Sequence, residues 1–239
     1  MYGMLRDRVV LISGATGALG SAVTREFAET LAWLALTGRS EQKLGHLIVE
    51  TGLSAERALT VPADVTQPDG VMGLVDAVLA RFGRIDVLLN TTGGWSGGVR
   101  VEETPVEAWD HMLALNLRSA FLLSRAALPH MLEAGWGRVV HVSSRTAVEP
   151  RAKRAAYAVS KMGLITLTEV IAAEVKGTGV TANVILPSVI DTPANRASMP
   201  KADPSRWVPP ERIAATMHFL CSDAAASING ARIPIYGAV

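Results

Sequence analysis

The stretch that decides the fold is Val9-Val10-Leu11-Ile12-Ser13-Gly14-Ala15-Thr16-Gly17-Ala18-Leu19-Gly20. A short β-branched, apolar run ends in a glycine-rich turn, and a helical pattern follows at once. Glycines let the chain turn tightly and let a pyrophosphate approach the backbone. The helix behind the turn offers free N–H groups and the positive end of its dipole. The spacing is G-x-x-G-x-x-G rather than G-x-G-x-x-G. A glycine-rich turn alone is a weak signal, equally suited to a plain strand-to-helix corner; its place between a first strand and a first helix strengthens it. On this reading Gly14, Thr16, Gly17, Ala18, Leu19 and Gly20 form a phosphate cradle.

Outward from that turn the alternation repeats. Strands are predicted at 8–13, 33–37, 58–62, 85–90, 138–143, 180–186 and 231–235. Helices are predicted at 18–30, 41–51, 68–82, 105–134, 155–176 and 210–222. The strands are almost continuously apolar, as strands buried on both faces are. Strand–helix alternation at this spacing predicts an α/β fold, a doubly wound parallel sheet with helices on both faces. No linker, repeat or low-complexity tract divides residues 1–239, so one domain is expected. The proline-rich stretch at 187–210 lacks regular periodicity. It follows a strand's carboxyl end, where ligands bind in such sheets, so it is read as a substrate lid.

Composition narrows the function classes. The 239 residues are 49% hydrophobic, with 23 basic and 22 acidic side chains and a net charge of +1. No electrostatic footprint for nucleic acid or an acidic membrane follows from that balance. The single cysteine, Cys221, excludes an internal disulfide and a cysteine-based zinc site. His111 and His218 are not spaced as metal ligands, and no metal is expected. The first apolar run is too short for a signal-peptide core. No stretch reads as the roughly 20 apolar residues of a spanning helix. A soluble, cytoplasmic protein is expected.

The end of the second strand, Thr37-Gly38-Arg39-Ser40, speaks to the cofactor. A free ribose 2′-hydroxyl is usually held there by an acidic residue. Arg39 stands in its place and suits a 2′-phosphate, so NADP is favoured over NAD. Asp64 is read either as meeting the adenine ring or as opening the turn Asp64-Val65-Thr66.

Tyr157 and Lys161 lie four residues apart on a predicted helix, which stacks them on one face. A nearby ammonium favours the phenolate and lowers the tyrosine pKa, making a proton donor for a reduced carbonyl. Ser144 ends the fifth strand, where a hydroxyl can hydrogen-bond a substrate oxygen; Ser143 competes for that role. Asn116 lies mid-helix, where asparagine is a mediocre helix former and invites a special hydrogen bond. Each of these residues taken singly has an ordinary structural explanation; together they form a constellation.

Gly14/Gly17/Gly20, Asp64-Val65, Asn90-Thr91-Thr92-Gly93, Asn116, Ser144, Tyr157 and Lys161 occur in that order. With them the chain resembles the short-chain dehydrogenase/reductase family along nearly its whole length. The resemblance implies a Rossmann-type domain with a seven-stranded sheet that uses NAD or NADP. It implies that Tyr157 is the acid–base residue and that Lys161 binds the nicotinamide ribose and tunes Tyr157. Ser144 would orient the substrate oxygen, and Asn116 would support a proton relay through water. Asn90 and Gly93 would line the cofactor site. Val189 and Thr192, after Pro187, would meet the nicotinamide amide and the pyrophosphate. The chain departs from the family's usual T-G-x-x-x-G-x-G in its Ser13 and Gly17, and from the usual Pro-Gly in Pro187-Ser188.

The loop Gly93-Gly94-Trp95-Ser96-Gly97-Gly98, the segment 186–200 and Trp207 also resemble dihydropteridine reductases. Trp95 and Trp207 are therefore candidate substrate contacts, since a flat ring can stack on an indole. Against a pterin substrate, Ser144 is present and no acidic residue stands at the Arg39 position. The reading adopted is hydride transfer to or from a carbonyl or alcohol. A pterin reductase and a non-catalytic dinucleotide sensor are the alternatives. Arg145, Arg151, Lys153 and Arg154 could draw an anionic substrate, although such a run is more often a solvated loop. Helices apolar on more than one face imply a second copy, and the resemblance implies a homodimer or homotetramer.

Overall fold

A computed structural model describes residues 5–238. In chain order the elements are β1 (Val9–Ser13), α1 (Ala18–Ala28), β2 (Trp33–Gly38), α2 (Glu41–Thr51), β3 (Ala58–Pro62) and α3 (Pro68–Phe82). There follow β4 (Val87–Asn90), α4 (Val106–Leu113), α5 (Ser119–Glu133), β5 (Gly137–Val142), α6 (Arg145–Val148) and α7 (Ala155–Glu174). The chain closes with β6 (Val180–Pro187), α8 (Pro193–Ser198), α9 (Pro210–Leu220) and β7 (Arg232–Ile235). The sheet has seven strands in the order β3-β2-β1-β4-β5-β6-β7, with every pair parallel. The doubly wound α/β expectation therefore holds. After β3 the chain returns to the far side of β1, and the order reverses between β1 and β4. Such a switch opens a crevice at the strands' carboxyl ends. Register sets Ser13 beside both Thr37 and Asn90 at that rim.

Every residue of β1 is buried, which is why its sequence is an unbroken apolar run. Successive side chains point to opposite faces. Val10 and Ile12 join Val23 and Phe27 of α1 and Met217 of α9 on one face. Val9 and Leu11 join Leu74 of α3 and Leu123 of α5 on the other. Each fully buried side chain of this size stabilises by about 1.5–3 kcal/mol. Local signals set the helix starts that match the sequence reading. The Ser40 hydroxyl accepts from Lys43 N to cap α2, and Pro68 opens α3 where its missing N–H costs nothing.

Three expectations need correction. The helix predicted at 105–134 is interrupted: α4 and α5 are joined by a π-helical turn, Ala114–Arg118, centred on Asn116. The apolar periodicity does not register the one extra residue that such a turn accommodates. The stretch at 187–210 is not irregular. It holds α8, a 3₁₀ turn at Pro204–Arg206, and a bridge between Ile190 and Val208 that closes its base. Finally, α7 is long and apolar enough to meet the length-and-hydropathy test for a membrane span, which the sequence reading had not found. Its apolar character has a local cause. Leu164, Ile165 and Ile171 are buried, while Val159, Met162 and Val170 remain exposed on another face.

Candidate active site

The turn after β1 is built by close approach. Gly14 has φ of 70°, and a Cβ there would meet Thr92 N at 2.8 Å. A Cβ on Gly20 would fall 2.1 Å from Gly14 O. Gly17 differs: a Cβ there would meet only Gly14 O, at 3.3 Å. Packing thus requires Gly14 and Gly20, whereas Gly17 leaves open space at the start of α1. No side chain caps that helix. Gly17 N donates to Gly14 O at 3.0 Å, and Ala18, the first residue of the helix, is exposed, so the uncapped N-terminus of α1 borders open space, as an anion site requires. The Leu19 side chain packs in the core, leaving only its backbone for a ligand.

Beside the turn lies the end of β2. A Cβ on Gly38 would meet Thr16 Oγ1 at 2.9 Å, so Thr16 fills the corner between cradle and strand. Arg39 is exposed beyond it. Asp64 Oδ1 accepts from Thr66 N at 3.0 Å and from Thr66 Oγ1 at 2.7 Å. Those bonds, with a smaller contribution from the Arg39 charge, hold its carboxyl below the usual range. Asp64 therefore opens a turn and also faces Arg39. Val65 is buried in the core.

The residues expected to handle protons gather beyond β5. Ser144 caps α6, its hydroxyl oxygen accepting from Thr146 N at 3.1 Å. Its own proton is left to face Tyr157, whose phenolate it favours. Ser143 does not compete, because its hydroxyl donates to Lys161 O at 2.7 Å. Lys161 is buried, and its Nζ donates to Val142 O at 2.8 Å. Burial pulls its pKa down to about 8. The Tyr157 phenol is pushed up by burial, against smaller opposing effects of the Ser144 hydrogen bond and the Arg154 charge. The expected lowering by Lys161 is not what this arrangement produces. Desolvation dominates, and the ammonium is turned to a backbone carbonyl.

Two asparagines expected at the site spend their amides inside the protein. Asn90 Oδ1 accepts from Ser13 Oγ at 2.7 Å and from Thr92 N at 3.2 Å. Its Nδ2 faces His141 Nδ1 at 3.3 Å, so that nitrogen accepts and Nε2–H is left for Ser124 Oγ at 3.2 Å. Burial, aided by the Lys161 charge, takes the His141 pKa down to about 3, which keeps the ring neutral. Asn90 thus shapes the crevice without offering its side chain to it. Asn116 Oδ1 accepts from Gly94 N at 2.9 Å, and its Nδ2 donates to Gly94 O at 3.1 Å and to Ser160 Oγ at 3.1 Å. The π turn aims this amide so that it pins the Gly93–Gly94 backbone against α7.

The remaining candidates lie on the rim. Pro187 ends β6, Val189 O accepts from Val208 N at 2.8 Å, and Thr192 caps α8 by accepting from Asn195 N at 3.1 Å. A cleft of about 450 Å³ lies between α1 and this loop, lined by Ala18, Ser21, Thr192 and Arg196 among others. It joins the cradle to the segment expected to meet a pyrophosphate. Trp95 is 57% exposed. Trp207 is not: at 5% exposure it is a packing residue of the loop, which corrects its expected role as a substrate wall. A larger cleft, about 750 Å³, lies at the other end of β6 near Gly179–Thr181 and holds none of these residues. Four features missed by sequence reading organise the site: α6, the buried Thr92–Ser13–Asn90–His141–Ser124 chain, the Val142 carbonyl and the Ser144 cap on Thr146 N. Only the capping serine before a short helical stretch had a sequence signal.

The uncapped α1, the open space at Gly17, and Arg39 and Asp64 at the far end fit a dinucleotide cofactor. A family model described as short chain dehydrogenase matches residues 8–203. The D-threitol dehydrogenase of Mycolicibacterium smegmatis is 35% identical over 242 residues, covering 98% of this chain and 93% of that protein. The D-beta-hydroxybutyrate dehydrogenase of Rhizobium meliloti is 30% identical over 252 residues, covering 96% of this chain and 97% of that protein. A solved short-chain type dehydrogenase/reductase from Mycobacterium ulcerans matches with a TM-score of 0.91 at 28% identity, covering 98% of this chain and 90% of that one.

Proposed function

The chain belongs to the short-chain dehydrogenase family, and from that premise we propose a division of labour among its own residues. It is an NAD(P)-dependent oxidoreductase that moves a hydride between a nicotinamide cofactor and a carbonyl or alcohol. A pterin substrate and a non-catalytic sensor are not favoured. The observation that carries the assignment of roles is that Ser144, at the carboxyl end of β5, lies close enough to Tyr157 to favour its phenolate, with Lys161 one helical turn further on.

The bound nicotinamide supplies the hydride chemistry. Tyr157 gives its phenolic proton to the substrate oxygen during reduction and takes it back during oxidation. Ser144 donates a second hydrogen bond to that oxygen as its charge grows. Lys161, anchored on the Val142 carbonyl, holds a cofactor hydroxyl. The Gly93 backbone, pinned by Asn116, lines the cofactor side. The cradle at Gly14–Gly20, with Thr192 and Val189 across the cleft, holds the phosphates and the amide. Trp95 is a substrate wall, and the 187–210 loop acts as the lid. We also propose NADP as the preferred cofactor, on the strength of Arg39, together with a homodimeric or homotetrameric assembly in the cytoplasm.

Tyr157→Phe tests this directly. Cofactor binding, followed by fluorescence, is expected to stay near the wild-type level. Turnover on a carbonyl panel is expected to fall by about two to four orders of magnitude. Unchanged turnover would sink the assignment of Tyr157.

A further inference from the structure

Six arginines among the described residues are buried or half-buried: Arg8, Arg57, Arg84, Arg138, Arg145 and Arg154. Five have oxygen partners that answer their charge. Arg8 and Arg84 bracket Asp86 at 2.9 and 2.8 Å. Arg57 donates to the carbonyls of Ala28, Thr30 and Ala32, and Arg138 to those of Gly137 and Gly179. Arg145 meets Glu149 at 2.8 Å. The Arg154 guanidinium makes one hydrogen bond, from Nη1 to Thr146 Oγ1 at 3.3 Å, and meets no carboxylate or carbonyl among the described residues. Its Nε–Nη2 edge is left over. A partly desolvated cation without an anionic partner is costly.

The place of that edge gives it meaning. Thr146 N donates to Ser144 Oγ at 3.1 Å, and both Ser144 and the Arg154 charge act on the Tyr157 phenol. Arg154 thus lies one side chain away from the hydroxyl pair. It is presented there by a constrained backbone: Lys153 has φ of 65°, which is uncommon for a residue with a side chain. The Lys153 carbonyl accepts from Gly98 N at 2.8 Å, which straps the Trp95 loop to the same segment. The mouth therefore has an exposed indole on one loop and an unanswered guanidinium edge on the other. The Nε–Nη2 edge is a two-donor fork that matches a carboxylate.

We propose that Arg154 is a specificity-determining residue and that the substrate is an oxo acid or hydroxy acid. Its carboxylate takes the free edge of Arg154 while its reacting oxygen meets Ser144 and Tyr157. The inference rests on the hydride-transfer reading, because the carboxylate belongs to the molecule being reduced or oxidised. Arg145 adds positive potential, but Glu149 already holds part of its fork.

The test is calorimetric titration of the enzyme–NADP⁺ complex, or of the NAD⁺ complex if that binds better, with butyrate and with butyramide. These probes match in shape and differ in charge. Butyrate is expected to bind at least tenfold tighter than butyramide. Arg154→Gln should abolish that preference, Arg154→Lys should keep part of it, and Thr146→Val, which removes only the brace, should leave it in place. Equal binding of the two probes to the wild type, or an unchanged preference in Arg154→Gln, overturns the inference. The wild-type comparison decides even if that variant does not fold. A second arm offers short oxo acids beside their methyl esters. Faster reduction of the acids supports the inference, and equal reduction overturns it while leaving hydride transfer intact. Absence of reduction of every carbonyl offered overturns the hydride-transfer reading instead, whatever butyrate does.

Discussion

Lys161 is a charge held where charge is disfavoured. Its folded pKa of about 8 lies below the ordinary 10.5 because burial strips water from the ammonium. The unfolded chain therefore binds the proton more tightly than the folded one. The resulting cost to stability is full below about pH 8 and fades as pH rises from there toward 10.5. Its size is about 3 kcal/mol. Lys161→Met is expected to lose turnover and yet melt higher than the wild type at pH 7. The gap should narrow at pH 10, since the wild type has by then shed most of the cost. Paired thermal melts at the two pH values check this. A variant that melts lower at pH 7 would show that the hydrogen bond to Val142 outweighs the desolvation. Arg39 makes a separate prediction. Arg39→Ala should lower kcat/KM for NADPH by about 10- to 100-fold, the range of a charge-assisted hydrogen bond, and leave the value for NADH within a few-fold. An equal fall for both cofactors would remove Arg39 from the 2′-phosphate.

The element proposed to hold the cofactor is the turn into α1, where two kinds of glycine stand three residues apart. Gly20→Ala drives a methyl against the Gly14 carbonyl at 2.1 Å and is expected to destabilise by about 3 kcal/mol. Gly17→Ala meets only one protein atom, at 3.3 Å. It should therefore melt near the wild type while binding NADPH more weakly, because the methyl occupies ligand space. Melting and fluorescence titration of both variants separate fold from function. The same element shows what could be read early. A strand, three glycines and a helix start are local facts, and they appear in the one-dimensional pattern. The π turn at Ala114–Arg118 does not, because the Gly94 backbone, 22 residues away from Asn116, draws that amide out of line.

At the scale of the molecule, α5 and α7 leave apolar side chains in water. Phe121 is 47% exposed, Leu132 43%, Val159 47% and Val170 48%. The proposed second copy of the chain would bury these side chains. Light scattering at micromolar concentration is expected to give the mass of a dimer or tetramer, and Phe121→Glu with Val170→Glu should shift it toward the monomer. A stable wild-type monomer would refute the assembly.

The sequence by itself determined the order of strands and helices and the parallel doubly wound sheet, and it named the residues proposed to handle protons. Each of these follows from local periodicity, turn chemistry or a spacing of a few residues. Tertiary structure decided how those groups are used. It chose Ser144 over Ser143 by giving the Ser143 hydroxyl to the Lys161 carbonyl. It buried Asn90, Asn116 and Trp207, so that two of them shape the crevice and the third packs its rim. It turned Lys161 toward Val142 and left burial to set the Tyr157 pKa. Among four neighbouring basic residues it singled out Arg154, because Arg145 pairs with Glu149 while Arg154 is half-buried and meets only the Thr146 hydroxyl, and burial is set by the packing of the whole fold.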